Sequence, residues 1–103
     1  MLEFLLRKRN VIQIAPQIRD LMIEMLEEVK KEVNDKNTVD GTIEVIKSMQ
    51  YNSPEDIVKA YKAILALSEM SIQNKDLQYN GYPIPTNPFT KSQKDKYTKL
   101  LNS

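Results

Sequence analysis

The 103-residue sequence contains no cysteine, no histidine and no tryptophan, and only two glycines. Without cysteine there is no thiol nucleophile and no disulfide framework, so stability has to come from packing. Without histidine the usual zinc ligand sets are missing, and so is the side chain that most often moves protons near neutral pH. Gly41 and Gly81 stand too far apart to build a glycine-rich phosphate loop. No stretch approaches the ~20 apolar residues that span a bilayer. The opening Met1–Arg9 places its charges after a short apolar run, the reverse of a secretory signal. The expectation is a cytoplasmic protein with no catalytic residues, no metal and no cofactor.

What is present suits one small domain over residues 1–103, with 41% hydrophobic and 28% charged residues. The net charge is +1, but it is unevenly spread. Residues 1–19 sum to +3, residues 20–35 to −4, residues 36–76 to −1 and residues 77–103 to +3. Residues with AT-rich codons (Phe, Tyr, Met, Ile, Asn, Lys) far outnumber those with GC-rich codons (Gly, Ala, Arg, Pro). That bias points to a low-GC bacterium or its phage.

The apolar spacing predicts an all-α fold, a small bundle of four to five helices. An N-terminal segment, residues 1–15, carries Leu2, Phe4, Leu5 and Leu6 around the triplet Arg7-Lys8-Arg9. These apolar residues are expected to cap the bundle or to form a homodimer seam. A helical core follows over residues 16–76. Pro16 suits a first helical turn, and Ile18, Leu21, Met22, Met25, Leu26, Val29 and Val33 share one face. Asp35 to Gly41 reads as a turn, with a short helix from about Thr42 to Gln50 after it. Ser53-Pro54-Glu55-Asp56 is a helix start, and the helix it opens runs to about Gln73. Its apolar face takes in Ile57, Ala60, Tyr61, Ile64, Leu65, Leu67 and Ile72, and Ser68 and Ser71 fall within it. Their hydroxyls are expected to bond carbonyls one turn back. The predicted core is Leu21, Met25, Leu26, Val29, Ile46, Ile57, Tyr61, Ile64, Leu65 and Leu67.

Residues 77–103 begin with a stretch too rich in proline and glycine to be helix, and it reads as an extended arm. Thr90 to Leu101 follows as a basic last helix using Tyr97, Leu100 and Leu101. In length and helix content the chain is similar to small immunity proteins against bacteriocins and to phage-encoded inhibitors; no motif carries that likeness.

Chemistry-bearing patterns are few. The Asp35–Ile43 stretch resembles a calcium loop, but aligning Gly41 with the loop glycine puts Lys36 and Lys47 at the two key ligand positions. Glu24, Glu28 and Glu32 share a helix face, as surface acids commonly do, and di-metal carboxylate bundles also need histidine. Asn87-Pro88-Phe89 matches a short adaptor-binding peptide motif. Arg7, Lys8 and Arg9, with Lys94 and Lys96, are candidate phosphate contacts. Tyr79, Tyr82, Pro83, Pro85 and Phe89 are candidate partner contacts, because aromatic side chains dominate interface energies and prolines lose little freedom on docking.

The function expected from this inventory is non-enzymatic binding of another protein, host or self, as a phage or mobile-element modulator that occludes its target. The alternatives are a small nucleic-acid-binding regulator using the basic termini and an immunity-type bundle. A membrane partner fits less well, since the N-terminal apolar stripe is short.

Overall fold

The computed structural model describes residues 12–102. The Leu2–Leu6 stretch and the Arg7-Lys8-Arg9 triplet lie outside the described residues. Four α-helices are present among those described: α1 Ala15–Lys30, α2 Lys36–Ser48, α3 Pro54–Gln73 and α4 Lys91–Leu101, with a 3₁₀ turn at Lys75–Leu77. The fold is the all-α bundle that the sequence pattern predicts. In it α1 packs on α2 and α4, and α3 packs on α2 and α1.

Helix α1 starts with Pro16 in its first turn, where the missing N–H costs nothing. It buries Ala15, Ile18, Leu21, Met22, Met25, Leu26 and Val29 along one face. Ile23, off that stripe, is half-buried against the edge of the core. The helix closes at Lys30, and Val33 reaches the core from the following loop. There the Lys36 ammonium donates to the carbonyls of Lys30 (2.7 Å) and Val33 (3.1 Å). A cation at a helix C-terminus satisfies orphan carbonyls and complements the dipole.

The Asp35–Gly41 stretch is a correction: it is helical from Lys36 onward. Asp35 is the N-cap, its carboxylate accepting from the Thr38 backbone N–H (3.2 Å) and from the Thr38 hydroxyl (2.8 Å). A capping Asp resembles a turn Asp in sequence, and Gly41 adds to the resemblance. Here Gly41 sits in mid-helix, on the exposed side. The carboxylate that headed the calcium-loop reading is occupied with capping α2. Val39, Ile43 and Ile46 turn inward.

Tyr51 follows α2, and its hydroxyl donates to the Ile46 carbonyl (2.9 Å). Burial pushes this phenol up to about 12. Helix α3 then opens at Ser53 and runs to Gln73, as its sequence signals predict. The Asp56 carboxylate accepts from the backbone N–H groups of Asn52 (2.8 Å) and Ser53 (3.1 Å), which hold it below its ordinary range. A depressed carboxyl of this kind stabilises the fold above the unfolded-state value, and that contribution is lost as pH falls through the folded one.

The core unites all four helices with Leu77, Ile84 and Phe89 from the segment between α3 and α4. Nine of the ten predicted core residues are buried; Leu65 is only half-buried at the edge. Ile72 is a second correction, being 60% exposed. The inward row of α3 is Ile57, Tyr61, Ile64, Ser68 and Ser71, all buried. Leu65 and Ile72 each follow a member of that row by one residue, which turns them about 100° aside.

Two outcomes are expected. Ile64→Ala, at a site with no exposure, should cost about 2–5 kcal/mol in chemical denaturation. A parent-like transition would place Ile64 outside the core. A Cβ added at Gly41 meets nothing within 4 Å. Gly41→Ala should therefore raise stability by about 0.5–1 kcal/mol, whereas a loop at this position would give no such gain.

Candidate interaction surface

The segment between α3 and α4 begins with Leu77, buried at the end of the 3₁₀ turn. The Asp76 carbonyl accepts from both Asn34 and Asp35 N–H at 2.9 Å, fixing this corner to the loop between α1 and α2. The chain then reverses at Asn80-Gly81. The N–H of Tyr79 donates to the Tyr82 carbonyl (2.7 Å), and the N–H of Tyr82 returns a bond to the Tyr79 carbonyl (3.0 Å). Asn80 (φ +55°) and Gly81 (φ +82°) both take the left-handed conformation that a two-residue hairpin turn requires. Asn and Gly are the residues that accept it.

Beyond the turn, Pro83-Ile84-Pro85 runs back along α3 in extended fashion. Pro83 and Pro85 face outward and Ile84 points inward, 1% exposed. Prolines have no N–H, so the only backbone donor in this tripeptide belongs to Ile84. It donates to the Ser71 hydroxyl oxygen at 2.8 Å. Ser71 in turn donates to the Ser68 carbonyl at 2.7 Å. The Ser68 hydroxyl lies within reach of its own helix at the Ile64 carbonyl (3.0 Å) and of the arm at the Pro85 carbonyl (3.3 Å). Both serines thus make the expected bonds to preceding carbonyls. What the sequence did not disclose is that the same hydroxyls also hold the arm.

The remainder of the arm returns to the core. The Asn87 side-chain carbonyl accepts from the Phe89 N–H (3.2 Å), and Pro88 and Phe89 are buried. The Phe89 ring packs at 5.2 Å, centroid to centroid, from Tyr97 of α4. Thr90 and Gln93 then cap α4 reciprocally, with bonds of 3.0 and 3.3 Å.

The five predicted partner contacts therefore divide. Tyr82 is 73% exposed at the turn, Pro83 and Pro85 are exposed beside it, and Tyr79 is half-buried with its side chain against the core. Phe89 is a correction: at 3% exposure its ring belongs to the core, and the Asn87-Pro88-Phe89 motif does not present it. Two large apolar residues of α3 are exposed as well. Met70 and Ile72, 47% and 60% exposed, flank the inward-facing Ser71 on α3.

Of the predicted phosphate contacts, Lys96 is exposed and bonded to Glu24 of α1 at 3.0 Å. Lys94 is half-buried on α4. Arg7, Lys8 and Arg9 lie outside the described residues. Among the described residues there is no cluster of three or more metal-ligating side chains, and no helix long and apolar enough to cross a membrane. No protein-family model matches this chain, and no curated protein or solved structure matches it.

Ser71→Ala leaves the buried Ile84 N–H without its acceptor. The expected cost is ~1–3 kcal/mol, with faster hydrogen exchange at the Ile84 amide. Unchanged exchange at that amide would show that another group holds the arm.

Proposed function

We propose that this protein works without chemistry of its own, by binding another protein through the Tyr82 turn and occluding the surface it covers. The observation that carries this reading is the exposure of Tyr82 on a backbone fixed at both ends. Leu77 anchors the chain before the turn and Ile84 anchors it after. A large aromatic presented on a rigid loop loses little freedom on docking, and such residues supply most of the energy of an interface. Pro83, next to it in the chain, and Pro85 are exposed as well and add apolar area to the arm. The catalytic alternatives find little support: the chain has no histidine or cysteine, and its two buried serines are occupied in structural hydrogen bonds.

The composition fits a host-directed modulator of phage or mobile-element origin acting in the cytoplasm, with a host protein or a second copy of this chain as the partner. A nucleic-acid partner is less favoured, because Lys96 of the basic C-terminal helix is engaged with Glu24.

Affinity capture from a nuclease-treated host lysate, followed by titration of the recovered partner, tests the reading. Tyr82→Ala should weaken binding at least about tenfold, which is 1.4 kcal/mol, while Tm stays at the parent value. Recovery that vanishes with nuclease, or affinity that ignores Tyr82 and falls steeply with salt, would favour phosphate recognition instead.

A further inference from the structure

An asparagine side chain carries its carbonyl carbon close to the backbone nitrogen of the next residue, so it can close a ring on its own main chain. Ring closure requires that nitrogen to give up its proton and the side-chain amide to turn towards it. A nitrogen already donating a hydrogen bond is held in its protonated form, and proline has no proton to lose. The fold sorts the asparagines of this chain by these two conditions.

Exposure does not separate them, since Asn34, Asn37, Asn52, Asn74 and Asn80 all face solvent. After Asn34, the Asp35 N–H donates to the Asp76 carbonyl at 2.9 Å. After Asn37, the Thr38 N–H donates to the Asp35 carboxylate at 3.2 Å, and after Asn52 the Ser53 N–H donates to that of Asp56 at 3.1 Å. The Asn74 side chain accepts from the Asp76 N–H at 3.0 Å. That of Asn87 accepts from the Phe89 N–H at 3.2 Å, and Pro88 follows it. Asn80 differs from all five. Neither its side-chain amide nor the Gly81 N–H has a hydrogen-bond partner among the described residues, while the Tyr79–Tyr82 pair closes the turn around them. Gly81 is exposed, and a Cβ built on it would meet nothing within 4 Å, so no neighbour shields its nitrogen. With no side chain, Gly81 also lets the peptide between the two residues rotate.

We propose that Asn80 is a self-modification site, deamidated through a cyclic imide with Gly81 and with water as the only co-reactant. Solvent base removes the Gly81 N–H proton, and the nitrogen attacks Cγ of Asn80. The N–Cγ bond forms, the Cγ–Nδ2 bond breaks, and Nδ2 takes a proton from solvent and leaves as ammonia. Water then opens the imide. Cleavage of the N–Cγ bond restores the ordinary main chain with an aspartate where Asn80 stood. Cleavage between the nitrogen and the Asn80 backbone carbonyl carbon leaves isoaspartate, whose main chain runs through the side chain and is longer by one methylene. No electrons are transferred, and one water is consumed for each ammonia released. A two-residue hairpin turn has no place for an extra main-chain atom. The isoaspartate form therefore loses the Tyr79–Tyr82 bonds of 2.7 and 3.0 Å, while Ser71 still holds Ile84. The change is confined to the turn that carries Tyr82.

The test needs only the full-length protein, incubated folded in mildly alkaline buffer made with heavy-oxygen water. Its peptides are then mapped by mass spectrometry, with isoaspartate scored separately. Conversion at Asn80 should run at least ~10-fold faster than at Asn34, Asn37, Asn52, Asn74 or Asn87, with the label in the new carboxyl group and isoaspartate among the products. The isoaspartate fraction should show faster hydrogen exchange at the Tyr79 and Tyr82 amides and unchanged exchange at Ile84. A parallel incubation in urea separates fold from sequence: it releases the Ser53 nitrogen, and the lag of Asn52 behind Asn80 should shrink. No conversion at Asn80, conversion led by another asparagine, or aspartate without isoaspartate would each overturn the proposal, the last by assigning direct hydrolysis of the side chain. A lag at Asn52 unchanged by urea, or a Tyr79–Tyr82 pair still protected in the isoaspartate form, would overturn the part given to the fold.

Discussion

A single backbone donor organises the least regular part of this protein. Pro83-Ile84-Pro85 has one N–H, and burying the Ile84 side chain takes that N–H out of water with it. A buried amide left unpaired costs about as much as a large apolar side chain contributes. A stable solution is an acceptor on the surface receiving the arm, and the backbone carbonyls of an α-helix, directed along its axis into their own ladder, are poorly placed to meet a segment lying across its side. Here a side chain provides it. Ser71 supplies it, with a hydroxyl that gives its own proton to the Ser68 carbonyl and receives the Ile84 proton. A helix apolar along its whole inner row would have offered Ile84 a surface to pack on and nothing to bond.

The same constraint explains what was legible in the sequence. The helix start at Ser53-Pro54 was legible because capping and proline agree there, and these signals act over three or four residues and need no tertiary partner. The start of α2 was misplaced because Asp35, Asn37 and Gly41 carry the same local chemistry in a turn and in a capped helix. What decides between them is that Val39, Ile43 and Ile46 find a core to enter. On α3, hydrophobicity favoured Leu65 and Ile72 as inward positions beside Ser68 and Ser71, whereas the fold keeps the two serines inward and turns the two apolar residues aside. No propensity argument reverses that preference. It follows from a segment thirteen residues further on that needs a hydroxyl. Phe89 was misassigned for a related reason: an aromatic in a proline-rich stretch has the same composition whether it folds in or points out.

Charge plays a different part. The acidic middle and basic end of the chain meet in space through Lys96 with Glu24 at 3.0 Å, and within the middle Lys30 pairs with Asp40 at 2.6 Å. Hydrogen bonding to Asp40 raises the Lys30 ammonium above its usual value. Pairs this open to solvent contribute little to stability. Their effect is on arrangement: α4 is drawn to the acidic side of α1, while Lys36 separately closes the end of α1 by bonding the Lys30 carbonyl and that of Val33 in the loop beyond. The uneven charge along the sequence is thus partly spent within the fold, which lowers the basic surface left for phosphate.

Buried and exposed side chains are interleaved along the arm. From Leu77 to Phe89 the buried side chains are Leu77, Ile84, Pro88 and Phe89, and the outward ones include Tyr82, Pro83 and Pro85. In Tyr82-Pro83-Ile84-Pro85 the inward residue fixes the backbone and its neighbours are left free of any packing duty. A surface built this way tolerates change at Tyr82 without loss of fold, since no core contact depends on that ring. The positions that must be kept are Ile84 and Ser71, which are buried and determine where the tyrosine stands. The turn's rigidity is therefore a property of the helix beneath it, and any partner surface that meets Tyr82 meets α3 through it.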